Sequence, residues 1–266
     1  MATPFPAETP SEVPLVNSPL VKVIAQIRFP AILALSQAES IAPFQEAIRS
    51  EYPLLRQERE SSILISSEGV KSSEGTSGVV WRFANRDSSW QVSLAPTFLA
   101  IDTVRYESRA DFIARFARLL SALAGTINPV VFDRLGLRYV DRIEMPATVA
   151  TLGDWIAPEL LGVLMVEMTQ GASLAHAVSN ALFAIDGSQL QARWGYLPPN
   201  ATLDATVDPA ERSSWVLDID VYQMGNVDFD VDRVTAMIED FARKQYAFFR
   251  WAVTDEFLVH RGGRLT

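Results

Sequence analysis

Apolar and polar residues alternate over 20–29, with Val21, Val23, Ala25, Ile27 and Phe29 on one side, which predicts a strand that Pro30 ends. The spacing then changes. Ile41, Phe44, Ile48 and Tyr52 recur at helical intervals, with Ser40 as N-cap and Pro43 in the first turn, and Pro53 stops the helix. Alternation returns over 62–66, 79–84, 90–95 and 98–103, which read as antiparallel strands. Residues 66–78, rich in Ser, Glu and Gly, read as a flexible link, and 85–89 as a turn. A second helix over 110–126 buries Phe112, Phe116, Leu119, Leu123 and Ile127. Ahead of these elements, Pro4, Pro6, Pro10, Pro14 and Pro19 predict an extended, poorly ordered arm over 1–18.

This order recurs in the second half. Val23-Ile24-Ala25-Gln26-Ile27-Arg28-Phe29-Pro30 matches Tyr139-Val140-Asp141-Arg142-Ile143-Glu144-Met145-Pro146, and Ile41-Ala42-Pro43 matches Ile156-Ala157-Pro158. Trp81 matches Trp194, Ser88-Ser89-Trp90 matches Ser213-Ser214-Trp215, and Phe116-Ala117-Arg118 matches Phe241-Ala242-Arg243. Matches in one unbroken order predict a tandem duplication, with residues 19–128 and 129–266 as the copies. Each copy is a strand, a helix, three or four antiparallel strands and a long helix. The expected fold class is therefore α+β: a curved antiparallel sheet with long helices on one face, forming one pseudo-twofold domain. In element order this resembles the duplicated unit of the TATA-box-binding protein, a likeness of architecture that carries no function.

Charge and composition narrow the function. Across 266 residues the net charge is −9 and the pI about 4.8, a field that repels phosphate backbones, so nucleic acid is disfavoured as a partner. No apolar run approaches the roughly twenty residues of a bilayer span, and no signal-peptide pattern follows Met1; a cytoplasmic, non-membrane protein is expected. Without cysteine there are no disulfides, thiolate nucleophiles or cysteine-bound metals. The two histidines, His176 and His260, are not in ligand spacing. No glycine-rich phosphate loop is present, and Gly171-Ala172-Ser173 lacks the second glycine of a nucleophile elbow, so neither a cofactor nor a hydrolase triad is expected.

The segment Asp133-Arg134-Leu135-Gly136-Leu137-Arg138-Tyr139-Val140-Asp141-Arg142-Ile143, with the opening Pro19-Leu20-Val21-Lys22-Val23-Ile24, resembles a sporadically distributed prokaryotic family of about this length. The resemblance spans nearly the whole folded chain. Its members carry RxGLRYxNRI at mid-chain, a tryptophan-containing strand pair before it, and a C-terminal helix with Phe then Thr, where this chain has Phe248, Phe249 and Thr254. The family brings no assigned activity; its patchy distribution suits a mobile or defence-type system. This chain departs from the pattern in having Asp141 in place of Asn.

Three sets of residues are candidates for function. Asp218 and Asp220 share one face of a strand, and with Asp228 and Asp230 can offer carboxylates to Mg2+ or Mn2+; the alternative is a solvated strand face, with Asp230 or Asp232 capping the last helix. Arg134, Arg138, Asp141 and Arg142 can bind a carboxylate or phosphate, or form ion pairs joining the two copies. Tyr246, Phe248, Phe249 and Trp251 surround the last helix and can form a partner interface, while Trp81, Trp90, Trp194 and Trp215 read as core. The leading expectation is a non-enzymatic protein-interaction or assembly module, binding another protein or itself. The runner-up is a metal- or anion-dependent enzyme, or a small-ligand binder, using the acidic strand pair and nearby arginines.

Overall fold

A computed structural model describes residues 3–59, 63–66, 69–72, 78–145 and 149–264. The fold is α+β. Among the described residues the strands are β1 Leu20–Arg28, β2 Leu54–Arg59, β3 Ile63–Ser66, β4 Gly69–Ser72, β5 Val79–Ala84, β6 Trp90–Ala95, β7 Phe98–Thr103, β8 Val131–Glu144, β9 Ala177–Ile185, β10 Ser188–Leu197 and β11 Ser214–Asp228. The helices are α1 Ala38–Ile48, α2 Arg109–Thr126, α3 Val149–Trp155, α4 Pro158–Leu161, α5 Val231–Ala252 and α6 Asp255–His260. Nine strands form one curved antiparallel sheet in the order β2-β5-β6-β7-β1-β8-β11-β10-β9, and β3 and β4 form a separate hairpin.

The chain divides into two compact units, 24–136 with 223–238, and 1–23 with 137–222 and 239–266. In the first, α2 starts at Ser108, whose side chain accepts from the Asp111 N–H. Its stripe of Phe112, Phe116, Leu119 and Leu123 is buried, and Phe112 meets Trp90 at 5.7 Å. Glu51 takes both Arg118 Nε and Nη2 at 3.0 Å, tying the end of α1 to α2. In the second unit, the strand face of Trp215, Leu217, Ile219 and Val221 is buried together with Phe241 and Phe248 of α5. Gln245 of α5 sits among them and donates Nε2 to the Leu137 and Ile219 carbonyls. A buried amide bonded to two sheet carbonyls fixes the helix over the strands in one register.

Several expectations need correction. α1 begins at Ala38, so Ser40 lies inside the helix and caps nothing. β2 was not anticipated, because Leu54-Leu55-Arg56-Gln57-Glu58-Arg59 does not alternate. The expected flexible link at 66–78 contains β4; its other parts, 67–68 and 73–77, lie outside the described residues, as do Ser62 and Pro146. The tryptophan pairing also fails: counted back from the long helix that follows each, Trp90 opens the second strand and Trp215 the first. Ser-Ser-Trp marks a polar turn entering a buried strand, a signal that recurs at any such entry. Both tryptophans are buried as expected.

Candidate functional site

β8, β10 and β11 present two faces in the second unit. Arg193 pairs with Asp218 in the β10–β11 register, so both stand on the face opposite to α5. Arg138 of β8 meets them there: its Nε and Nη2 grip the two Asp218 oxygens at 2.7 and 2.9 Å, and its Nη1 reaches Asp204 at 2.8 Å. Arg193 adds Nε to Asp218 at 3.0 Å, and its Nη2 lies 3.9 Å from Asp204. Burial works against the Arg138 charge, but the hydrogen bonds and charge of Asp218 overcome it and hold the group above the ordinary arginine range. Burial would likewise raise Asp204, yet hydrogen bonds from Thr206 N and Oγ1 and the Arg138 guanidinium bring it to about 2. Two arginines and two aspartates thus balance in a closed network under the loop 198–213.

This network overturns the solvated-face reading of Asp218, which is 2% exposed. Alternation placed the residue on the correct face, but the loop that covers that face was not visible in the spacing. Asp220 lies in the same unit and is half-buried with interactions of its own. Asp228 and Asp230 belong to the other unit, where Asp230 accepts from Arg233 N at 2.8 Å and caps α5. Among the described residues no group of three or more carboxylate and imidazole ligands is placed to hold a metal.

The arginine set separates in the same way. Arg134 lies in the first unit, with its guanidinium close to Gly136. Arg142, two positions beyond Val140 on the Arg138 face, donates Nη2 to the Asp208 carbonyl. Asp141 points the other way, is buried, and has no hydrogen-bond or ion-pair partner among the described residues. Burial first, and the Asp218 charge second, push its carboxyl up to about 8.

The aromatic end of α5 is already occupied. The Tyr246 hydroxyl accepts from Val13 N at 2.8 Å and donates to the Ser11 carbonyl at 3.0 Å. Phe5 packs on Phe183 at 5.2 Å and on Phe248 at 6.1 Å, Phe248 meets Trp251 at 5.2 Å, and Tyr246 meets Phe249 at 6.4 Å. The arm, expected to be poorly ordered, lies across this helix end. α5 is aromatic all round because the sheet covers one side and the arm another.

Two features remain open in this unit. One is a cleft of about 730 Å3 near the α6 end, into which Arg142, Arg212, Arg261, Glu144, Trp155 and His260 project. The other is β9, the last strand of the sheet. Its nine residues, Ala-Val-Ser-Asn-Ala-Leu-Phe-Ala-Ile, carry no charge and no proline, and its ladder runs to β10 on one side only. Gly195 of β10 lets β9 approach: a Cβ there would sit 1.9 Å from the Ala177 carbonyl oxygen. The opposite edge, β2, carries Arg56, Glu58 and Arg59.

Neither a family model nor a curated protein matches this chain. No described helix is long and apolar enough to cross a membrane. Sequence reasoning passed over β9 because it sought chemistry in charged residues, whereas the signal is a nine-residue run without any. It passed over the cleft because Arg142, Trp155 and His260 are far apart in sequence and no spacing rule links them.

Proposed function

We propose that this protein is a non-enzymatic assembly module that joins a second copy of itself by antiparallel pairing of β9 with β9. The carrying observation is the contrast between the two sheet edges. Natural sheets blunt an exposed edge with charge, proline or a bulge, as Arg56 and Glu58 do on β2; β9 has none of these over nine residues. Strand addition uses such an edge. Pairing about Ala181 is isologous, with a small residue at the twofold axis, and β9 adds no like charges to the interface despite the chain's net −9.

Magnitudes indicate what decides the association. A nine-residue antiparallel edge offers roughly eight inter-strand hydrogen bonds. At about 0.5–1.5 kcal/mol net each, they are comparable with the ~4–15 kcal/mol cost of association. The outward-facing apolar side chains Val178 and Leu182, 44% and 58% exposed, therefore tip the balance. Light scattering on the full chain should give twice its 29.4 kDa, and Leu182→Lys should give one copy. A wild-type monomer at tens of micromolar, in the range of about −6 kcal/mol, would overturn the assignment.

The duplication belongs to the same reading. We infer that the two halves descend from one unit, because β7, β6 and β5 follow outward from β1 in the sheet as β11, β10 and β9 follow outward from β8. On that view β2 is the extra strand of the first copy, and it leaves β9 as the edge of the second.

A further inference from the structure

We propose that the cleft beside α6 binds a small oxyanion, a carboxylate or phosphate group, through Arg261 and Arg142 with Arg212 at the rim. This is independent of β9 pairing. The cleft holds about 730 Å3, ample for a small anion. Arg261 Nε is buried without a hydrogen-bond partner, and among the described residues its guanidinium makes no ion pair; it lies over the Phe257 ring at 5.3 Å. A buried charged donor left unmet is costly, and a bound anion would recover that cost. Arg142 spends one Nη2 on a backbone carbonyl, which leaves the rest of its fork unclaimed by any described carboxylate. Burial holds both groups below the ordinary arginine range, the sign of charges whose desolvation the protein has not fully offset.

Counter-charges at the rim do not satisfy this demand. Arg212 and Glu144 pair at 3.4 Å with side chains 80% and 65% exposed, and such surface pairs hold weakly and exchange readily. Glu211 also lines the cleft and the Asp208 charge acts on Arg142 at longer range, so three arginines meet three carboxylates, but among the described residues only the exposed Arg212–Glu144 contact is an ion pair. The unmet hydrogen-bonding capacity of Arg142 and Arg261 is all donor, which favours an anion over a cation. Trp155 stacks on His260 at 4.5 Å and gives the cleft a flat aromatic wall for the organic part of a ligand.

Calorimetric titration of the full chain with sodium phosphate, and separately with succinate, at fixed ionic strength tests the site. Saturable one-to-one binding by either anion is expected; the tighter one identifies a phosphoryl or a carboxylate ligand. Arg261→Gln should weaken binding at least about tenfold, the loss of one charge-assisted hydrogen bond. Arg212→Gln, at an exposed position that cannot unfold the chain, should weaken it about threefold. Repeating the titration on Leu182→Lys separates this site from β9 pairing. Absence of saturation by either anion below about 10 mM, or wild-type affinity in both variants, overturns the proposal.

Discussion

Asp141→Asn should stabilise this protein increasingly as pH rises. The wild-type carboxyl is buried without a partner and titrates near 8, against an ordinary value of 3.8. Between those values the native state holds a proton that the unfolded chain releases, so stability falls as pH rises through the window and levels off above about 8. Roughly four units at 1.36 kcal/mol each set an upper bound on the order of 5 kcal/mol. Relaxation and water entry reduce the cost of buried charge, so about 2–5 kcal/mol is expected at pH 9. Asparagine cannot ionise. It exchanges one donor for two, which adds a constant offset of about 1 kcal/mol or so; the test therefore lies in the slope. Urea unfolding of both proteins at pH 4, 7 and 9 should show the difference growing with pH. A parallel pair of curves would refute the reasoning.

Two further outcomes follow from burial. Asp218→Asn should cost about 3–5 kcal/mol by urea unfolding, because it leaves Arg138 and Arg193 facing one another with Asp204 as the one remaining carboxylate of the network; a loss below about 1 kcal/mol would mean that solvent reaches the network. Trp90→Ala and Trp215→Ala should each cost about 3–5 kcal/mol, since both rings are buried and each leaves a cavity, and a wild-type midpoint in either would show that the surrounding side chains collapse into the space.

Local periodicity made much of the fold legible. Strands 79–84, 90–95 and 98–103 coincide with β5, β6 and β7, and α2 differs from its expected span by one residue, because alternation and helical spacing are properties of adjacent residues. Where burial arises from a distant segment, the pattern is silent. Asp218 looks like a surface residue in Leu217-Asp218-Ile219-Asp220, and only the returning loop that carries Asp204 makes it a buried ion-pair partner. Tyr246 and Phe248 look like an open interface until the arm that contributes Phe5 and Val13 is placed over them. The arm's prolines predicted an extended, poorly ordered segment, but a proline-rich segment without regular structure can still pack a ring and share hydrogen bonds, as Phe5 and Val13 do.

The face of β8 itself separates scaffold from site. Arg138 and Arg142 project from the same side of one strand, so their backbone environment is alike, and what differs is the partners offered by the loop 198–213. To Arg138 the loop brings the Asp204 carboxylate, already fixed by Thr206, and β11 brings Asp218; every direction of the fork is answered. To Arg142 it brings the Asp208 backbone carbonyl, a neutral acceptor, with the Asp208 charge acting only at longer range. A guanidinium closed by two carboxylates has little left for a ligand, and exchanging its partners would strand a charge 2% exposed. A guanidinium held by one carbonyl, with no ion pair among the described residues, is positioned with most of its fork still open. The loop thus does two things with one strand: it locks itself down at Arg138, and in doing so it carries Glu211 and Arg212 to the cleft where Arg142 still has charge to offer.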